Sequence, residues 1–209
     1  MSEKNEKIAA WIENHSSEIV NNLEQESIDV YNFLKDEFEK SDVTKNHLFQ
    51  FVFRSFYRLD NAGLTPEFKK EYFCILEENR YKNEFELEKT IKKLYNFPNR
   101  KGQPTLQFSF ATKLINTIND TFPIYDSKVA KMFQFNRPNH SNIDEKLIKY
   151  QEQLDEIKSG YNQILNSNLI PTTIQEFDNK FINHKLTNIK KLDFIFWSAG
   201  KIKESNSKK

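Results

Sequence analysis

Few residues in this chain can interrupt a helix. Its 209 positions hold four glycines and six prolines, and these two residue types are the strongest punctuation of regular structure. Apolar residues recur with a helical period through most of the chain, and no segment reads as a strand. The expected fold class is therefore all-α. Hydrophobic content is 37%, but 19 Phe and 8 Tyr make the core positions large. The length suits one compact domain, and residues 1–209 are expected to form a single unit of two helical lobes around a shared core.

The punctuation that does exist places the elements. A first helix is expected over residues 3–15, and Ser16 or Ser17 can cap a longer one reaching about Lys40. Residues 44–60 follow, with Leu48, Phe51, Val52, Ser55 and Phe56 on one face, and Gly63 supplies the left-handed residue that ends that element. Thr65-Pro66 is a cap followed by a first-turn proline. Another helix is expected over about 84–95. The run PNRKGQP (residues 98–104) is the clearest loop, and NRPNH (136–140) is a second. Beyond it, a long polar helix spans about 143–166, Thr172 or Thr173 can cap the next, and a last helix covers about 188–199. The tail, residues 201–209, is expected to be disordered.

Composition excludes several chemistries. Cys74 is the only cysteine, which rules out an internal disulfide framework, a four-cysteine zinc site and a cysteine-held iron–sulfur cluster, and suits a reduced cytoplasm. His15, His47, His140 and His184 are far apart in sequence without ligand spacing, and there is no phosphate-binding glycine pattern and no serine-hydrolase elbow. No metal and no cofactor is expected. No apolar run approaches the roughly 18 residues of a spanning helix. The net charge of +1 hides an asymmetry: residues 1–50 carry 5 Lys/Arg against 11 Asp/Glu, leaving 26 against 19 in the remainder. That bias permits a local nucleic-acid contact without demanding one.

The segment with the most chemical content is SFATKLINTINDTFPIYDSKVAKMF. Read as a helix over residues 106–119, its apolar arc takes Leu106, Phe108, Phe110, Ala111, Leu114, Ile115 and Ile118. Ser109, Thr112, Lys113, Asn116 and Asn119 fall on the opposite arc, with Ser109 and Lys113 one turn apart. Asp126 then opens a further helical run. Aspartate is among the best N-caps, stabilising a helix by roughly 0.5–2 kcal/mol over alanine, and periodicity alone gives Asp126 no other role.

The order of these features resembles the helix-hairpin-helix DNA glycosylase superfamily, over about residues 105–200. In that family a proline-containing link leads to a catalytic aspartate and a valine-bearing helix, matched here by Phe122-Pro123-Ile124-Tyr125-Asp126-Ser127-Lys128-Val129. The archaeal-type 8-oxoguanine branch is the most similar variant. Its F-A-x-K run is matched by Phe110-Ala111-Thr112-Lys113, and its Asp and Trp four residues apart, which hold the flipped base, by Asp193 and Trp197. Bacterial relatives of that branch remove glucosylated hydroxymethylcytosine from viral DNA.

What the resemblance implies is a monomeric enzyme acting on double-stranded DNA that contains a modified base. Asp126 would be catalytic. Ser109, Phe110, Asp193 and Trp197 would meet the flipped base, and Arg100, Lys101, Gly102, Lys128 and Arg137 the DNA. The family's glycine-rich hairpin is absent: residues 103–107 read QPTLQ, so phosphate contact would pass to Arg100, Lys101 and Gly102. The nucleophilic lysine position falls on Leu106 or on Ser109, depending on register, and neither is a lysine. Lys113 can replace it only if the helix begins later than residue 106.

The two cases differ in chemistry. A lysine attacks the sugar and forms a Schiff base, whereas without it an aspartate orients water and leaves an abasic site. An aspartate at a helix start, where N–H groups and dipole favour an anion, suits a charge stabiliser, and the water-activating case is preferred. Polar residues Ser109, Asn116 and Thr117 favour a sugar-bearing base as substrate over 8-oxoguanine. A non-catalytic helical module, with Asp126 only a cap, is the competing expectation. Arg54, Tyr57, Arg58 and Asp60 offer either DNA contacts or a structural ion pair.

Overall fold

The structure, a computed structural model, describes residues 2–82 and 85–206. It is all-α. Eleven α-helices follow in order: α1 (Glu3–Asn14), α2 (Ser16–Asn21), α3 (Gln25–Lys40), α4 (His47–Phe56), α5 (Pro66–Glu78), α6 (Leu87–Tyr95), α7 (Phe108–Ile118), α8 (Ser127–Met132), α9 (Ile143–Asn166), α10 (Pro171–Lys180) and α11 (Asn188–Asn206). A 3-10 turn, Leu59–Ala62, lies between α4 and α5. No strand occurs among the described residues; Leu64 and Asn99 form one isolated antiparallel bridge.

The chain divides into two compact units. The first comprises residues 1–28 and 121–209 and the second Asp29–Asp120. The boundary at residues 120/121 falls inside the run SFATKLINTINDTFPIYDSKVAKMF.

In the first unit α11 is the central helix, and every residue from Lys190 to Gly200 except Trp197 is buried. A helix buried all round is a core element. It packs on α8, α2 and α9, while α1 packs on α9 and α10, and α10 on α2. Phe133, just past α8, stacks on Phe196 of α11 with ring centroids 5.5 Å apart, and Tyr161 of α9 lies 4.8 Å from the same ring. Gly200 fixes how closely α8 can approach. A Cβ there would lie 2.2 Å from the backbone oxygen of Lys128, so only glycine fits.

Three boundaries in this unit differ from expectation. The helix expected to run from Ser16 to about Lys40 breaks after Asn21, because the carbonyls of Val20, Asn21 and Leu23 turn to the Lys180 ammonium, at 3.1, 3.3 and 2.7 Å. A lysine at a helix C-terminus satisfies orphan carbonyls and the dipole together. Neither Thr172 nor Thr173 caps α10. Both lie inside its first turn, and the Glu13 carboxylate of α1 accepts from both of their backbone N–H groups, at 2.8 and 3.1 Å. Finally, residues 201–206 are helical rather than disordered. Ile202 is buried, and the ammonium of Lys203 sits 5.1 Å from the Trp11 ring centroid. Residues 207–209 of the expected tail lie outside the described residues.

The second unit packs α7 against α5 and α6. Asn46 caps α4 by accepting from Phe49 N–H, and Thr65 caps α5 by accepting from Phe68 N–H, with Pro66 at the first turn. Gly63 takes the left-handed conformation at φ 66°, as the sequence suggested. The inward face of α4 is not the expected one. Phe49 and Phe53 are fully buried against Tyr72 and Phe73, whereas Leu48 and Phe51 are 61% and 59% exposed. The ring contacts of Phe49 and Phe53 with Tyr72 and Phe73 set the rotation of the helix.

The helix expected over about 84–95 is α6, starting at Leu87; Glu84 lies outside the described residues. α7 starts at Phe108, two residues later than residue 106. Most of its expected polar arc is covered: Thr112, Lys113 and Asn116 are buried, while Ser109 is half-buried and Asn119 exposed. Thr112 compensates by donating its hydroxyl proton to the Ser109 carbonyl at 2.9 Å.

Candidate functional site

The link before α8 is held at three successive residues. The N–H of Ile124 donates to Oδ1 of Asp193 at 3.1 Å. The hydroxyl of Tyr125 donates to Oε1 of Gln153 at 2.7 Å, and its ring meets Tyr150 edge-on. Asp126, in extended conformation, accepts from Lys128 N–H at 2.9 Å. Asp126 is thus the N-cap of α8, with a carboxylate that is only partly buried. Its place depends on the segment before it as much as on the helix after it.

Asp193 lies deeper, at 6% exposure. Burial disfavours its charged form and pushes the carboxyl up, to about 7. The Lys190 ammonium, 3.8 Å away and itself buried, opposes that, as do the Ile124 N–H and the neighbouring Tyr161 hydroxyl; the nearby charge of Asp126 adds to the rise. The Tyr161 hydroxyl is fully buried beside the carboxylate and completes no well-aligned hydrogen bond. Two carboxylates therefore share one neighbourhood in unlike surroundings, one at a helix cap and one in the core. Unlike environments are how a protein gives two acids different roles.

The structure brings Asp126 and Asp193 together and places Trp197 one turn beyond Asp193 on α11. Trp197 keeps part of its ring exposed, with the Lys201 ammonium 5.3 Å from the centroid. Lys128 is turned to Glu204 of α11, with which it forms an ion pair. Arg137 is exposed in the loop after Phe135, and its positive charge acts on Tyr125.

Ser109, Phe110 and Lys113 belong to the second unit. Lys113 is 9% exposed, and its ammonium lies 5.0 and 5.8 Å from the ring centroids of Phe110 and Tyr57. Arg100, Lys101 and Gly102 occupy a closed turn of that unit. Asn99 Oδ1 accepts from the N–H groups of Lys101 and Gln103, the Asn99 carbonyl accepts from Gly102 N–H, and the Gly63 carbonyl accepts from Arg100 N–H. Gly102 is left-handed at φ 74°. The backbone donors of residues 100–103 are thus used within the protein, so an anion at this turn would meet side chains instead. Nearby, Asp60 takes both Arg54, at 3.2 Å, and Lys69, at 2.5 Å, which makes the Arg54–Asp60 pair a structural one.

Tyr161 and Lys190 were not among the residues singled out from sequence. Tyr161 follows Leu154 and Ile157 on the buried face of α9 and reads as ordinary core. Lys190 did carry a signal, because it stands three residues before Asp193 on one helix, a spacing that brings side chains together.

Among the described residues, no cluster of three or more His, Cys, Asp or Glu could hold a metal ion, and no helix is long and apolar enough to cross a membrane. No protein-family model, curated protein or solved structure gives a significant match to the chain.

Proposed function

We propose that the protein is a DNA N-glycosylase that releases a modified base from double-stranded DNA and leaves an abasic site. The observation that carries this reading is the placement of Asp126: a part-exposed carboxylate at the start of α8, fixed on both sides and backed by a second acid. The same residue is the one that the resemblance of residues 122–129 to the glycosylase superfamily marks as catalytic.

In this reading the bond between the sugar carbon and the base nitrogen breaks, and the base leaves with the bonding electron pair. The sugar becomes an oxocarbenium-like cation. Asp126 faces that cation, stabilises it through its charge, and orients a water that adds to the sugar carbon and gives its proton to the Asp126 carboxylate, from which it passes to the departed base. The base is reached by flipping it from the duplex, and the part-exposed ring of Trp197 stacks on it. The burial of Lys113 beneath two aromatic rings favours water over a lysine as the attacking group. The proposed substrate is a sugar-bearing cytosine of viral DNA, in keeping with the bacterial relatives of the branch that residues 105–200 resemble.

The test is incubation with phage DNA carrying glucosylated hydroxymethylcytosine, followed by an abasic-site probe. Abasic sites that form with the wild type and not with Asp126→Asn are expected. Binding to that DNA without release of any base would leave a non-catalytic binding module.

A further inference from the structure

The core behind Asp126 contains a charged pair and a hydroxyl that the reaction above does not use. Asp193 and Lys190 are both buried, at 6% and 3% exposure of their side chains, and stand 3.8 Å apart on one turn of α11. The Tyr161 hydroxyl of α9 is buried beside the same carboxylate without a well-aligned hydrogen bond to it. The charge of Asp126, the residue that caps α8, acts on it as well. A buried ion pair is costly to keep and is often no better for stability than an apolar replacement. This one also holds the Ile124 N–H, two residues before Asp126.

We propose that Lys190 and Tyr161 are positioning residues, which hold the Asp193 carboxylate as the anchor of the Ile124 N–H and through that anchor fix the place of Asp126. The assignment of a role in base release rests on the reading of Asp126 given above; the anchor itself does not. An ionised Asp193 grips the N–H more strongly than a protonated one, since hydrogen bonds to charged acceptors are shorter and stronger. It also adds negative potential next to Asp126, where positive charge develops on the sugar. Lys190 and Tyr161 both favour the ionised form. Burial and the charge of Asp126 oppose it, so the anchor is set by a balance that either residue can tip.

The experiment is an NMR titration of the full-length, 15N-labelled protein without DNA, following the Ile124 amide over roughly pH 5 to 9. The amide proton is expected to move downfield in a single step as Asp193 ionises. Tyr161→Phe and Lys190→Met are each expected to shift that step to higher pH, and Asp193→Asn to abolish it. Tyr161→Phe retains the ring that packs on Phe196, so it tests the hydroxyl where the lysine variant fails to fold. An Ile124 amide that does not titrate in the wild type, or a step at the same pH in the wild type and both variants, overturns the proposal. Because no substrate is present, a missing step counts against the anchor and a missing base release counts against Asp126 as the catalytic group. Where release is measured, Tyr161→Phe is expected to lower kcat and move its pH profile with KM unchanged, which a loss of packing alone would not produce.

Discussion

The Oδ1 atom of Asp193 accepts the N–H of Ile124 at 3.1 Å, tying a buried acid of the last helix to the residue two before Asp126. This bond makes the position of a helix cap depend on the ionisation of a core residue. Burial raises the Asp193 carboxyl from its ordinary 3.8 to about 7, so the folded state holds a proton that the unfolded chain has already released. Stability therefore falls as pH rises from about 4 to about 7 and is level outside that window as far as this group is concerned. Urea midpoints measured across that range should decline in the wild type more steeply than in Asp193→Asn, and parallel slopes would show that Asp193 ionises normally.

Glu13 contributes with the opposite sign. Partial burial pushes its carboxyl up, but the hydrogen bonds from Thr172 and Thr173 outweigh that and hold it below its ordinary 4.5. The stability this group contributes is present above that value and is lost as pH falls through the lowered one. Glu13→Gln should remove part of the acid-side loss of stability, read from thermal melts below about pH 5, and should loosen the start of α10 in hydrogen exchange.

The two turn and packing glycines should respond differently to alanine. At Gly200 the added carbon meets backbone of α8 at 2.2 Å, and backbone cannot swing aside. Gly200→Ala should cost about 1–3 kcal/mol or more from overpacking, and it should displace α8 together with Asp126. At Gly63 no atom lies within 4 Å and the strain is that of φ 66° alone, which is about 1–2 kcal/mol. Denaturation of both variants, with base release measured on the folded fraction, separates the two effects: only Gly200→Ala should impair release.

Lys113 decides between two chemistries. With its ammonium under Phe110 and Tyr57, borohydride added during turnover should trap no covalent protein–DNA adduct. An adduct that disappears in Lys113→Gln would establish a Schiff base and with it the strand-cleaving 8-oxoguanine reading.

Much of the architecture was legible because it depends on local chemistry. Scarce glycine and proline announced helices, Thr65-Pro66 and Gly63 marked a start and a stop, and Asp126 caps α8 as its residue type suggests. What the sequence concealed depends on distant partners. Lys180 ends α2 from about 160 positions away, and Glu13 does for α10 what Thr172 was expected to do. The rotation of α4 was set by which aromatic rings met Phe73, a choice that periodicity alone does not make. The same holds for the site. Asp126 and Asp193 stood out in the sequence, but that Asp193 is buried, paired with Lys190 and bonded to Ile124 needed the fold. Lys113 shows the reverse, since a lysine on the polar arc of its helix is covered.

Asp126 is proposed to act on the sugar of a modified nucleotide. The most direct test of that role is the count of abasic sites in glucosylated phage DNA after incubation with wild type and with Asp126→Asn, the fold of each checked by circular dichroism. Abasic sites are expected with the wild type, with a loss of at least about a hundredfold in the variant, the scale of a removed electrostatic stabiliser. Equal release by the two proteins would contradict that role, as would tight binding of that DNA by the wild type with no base released.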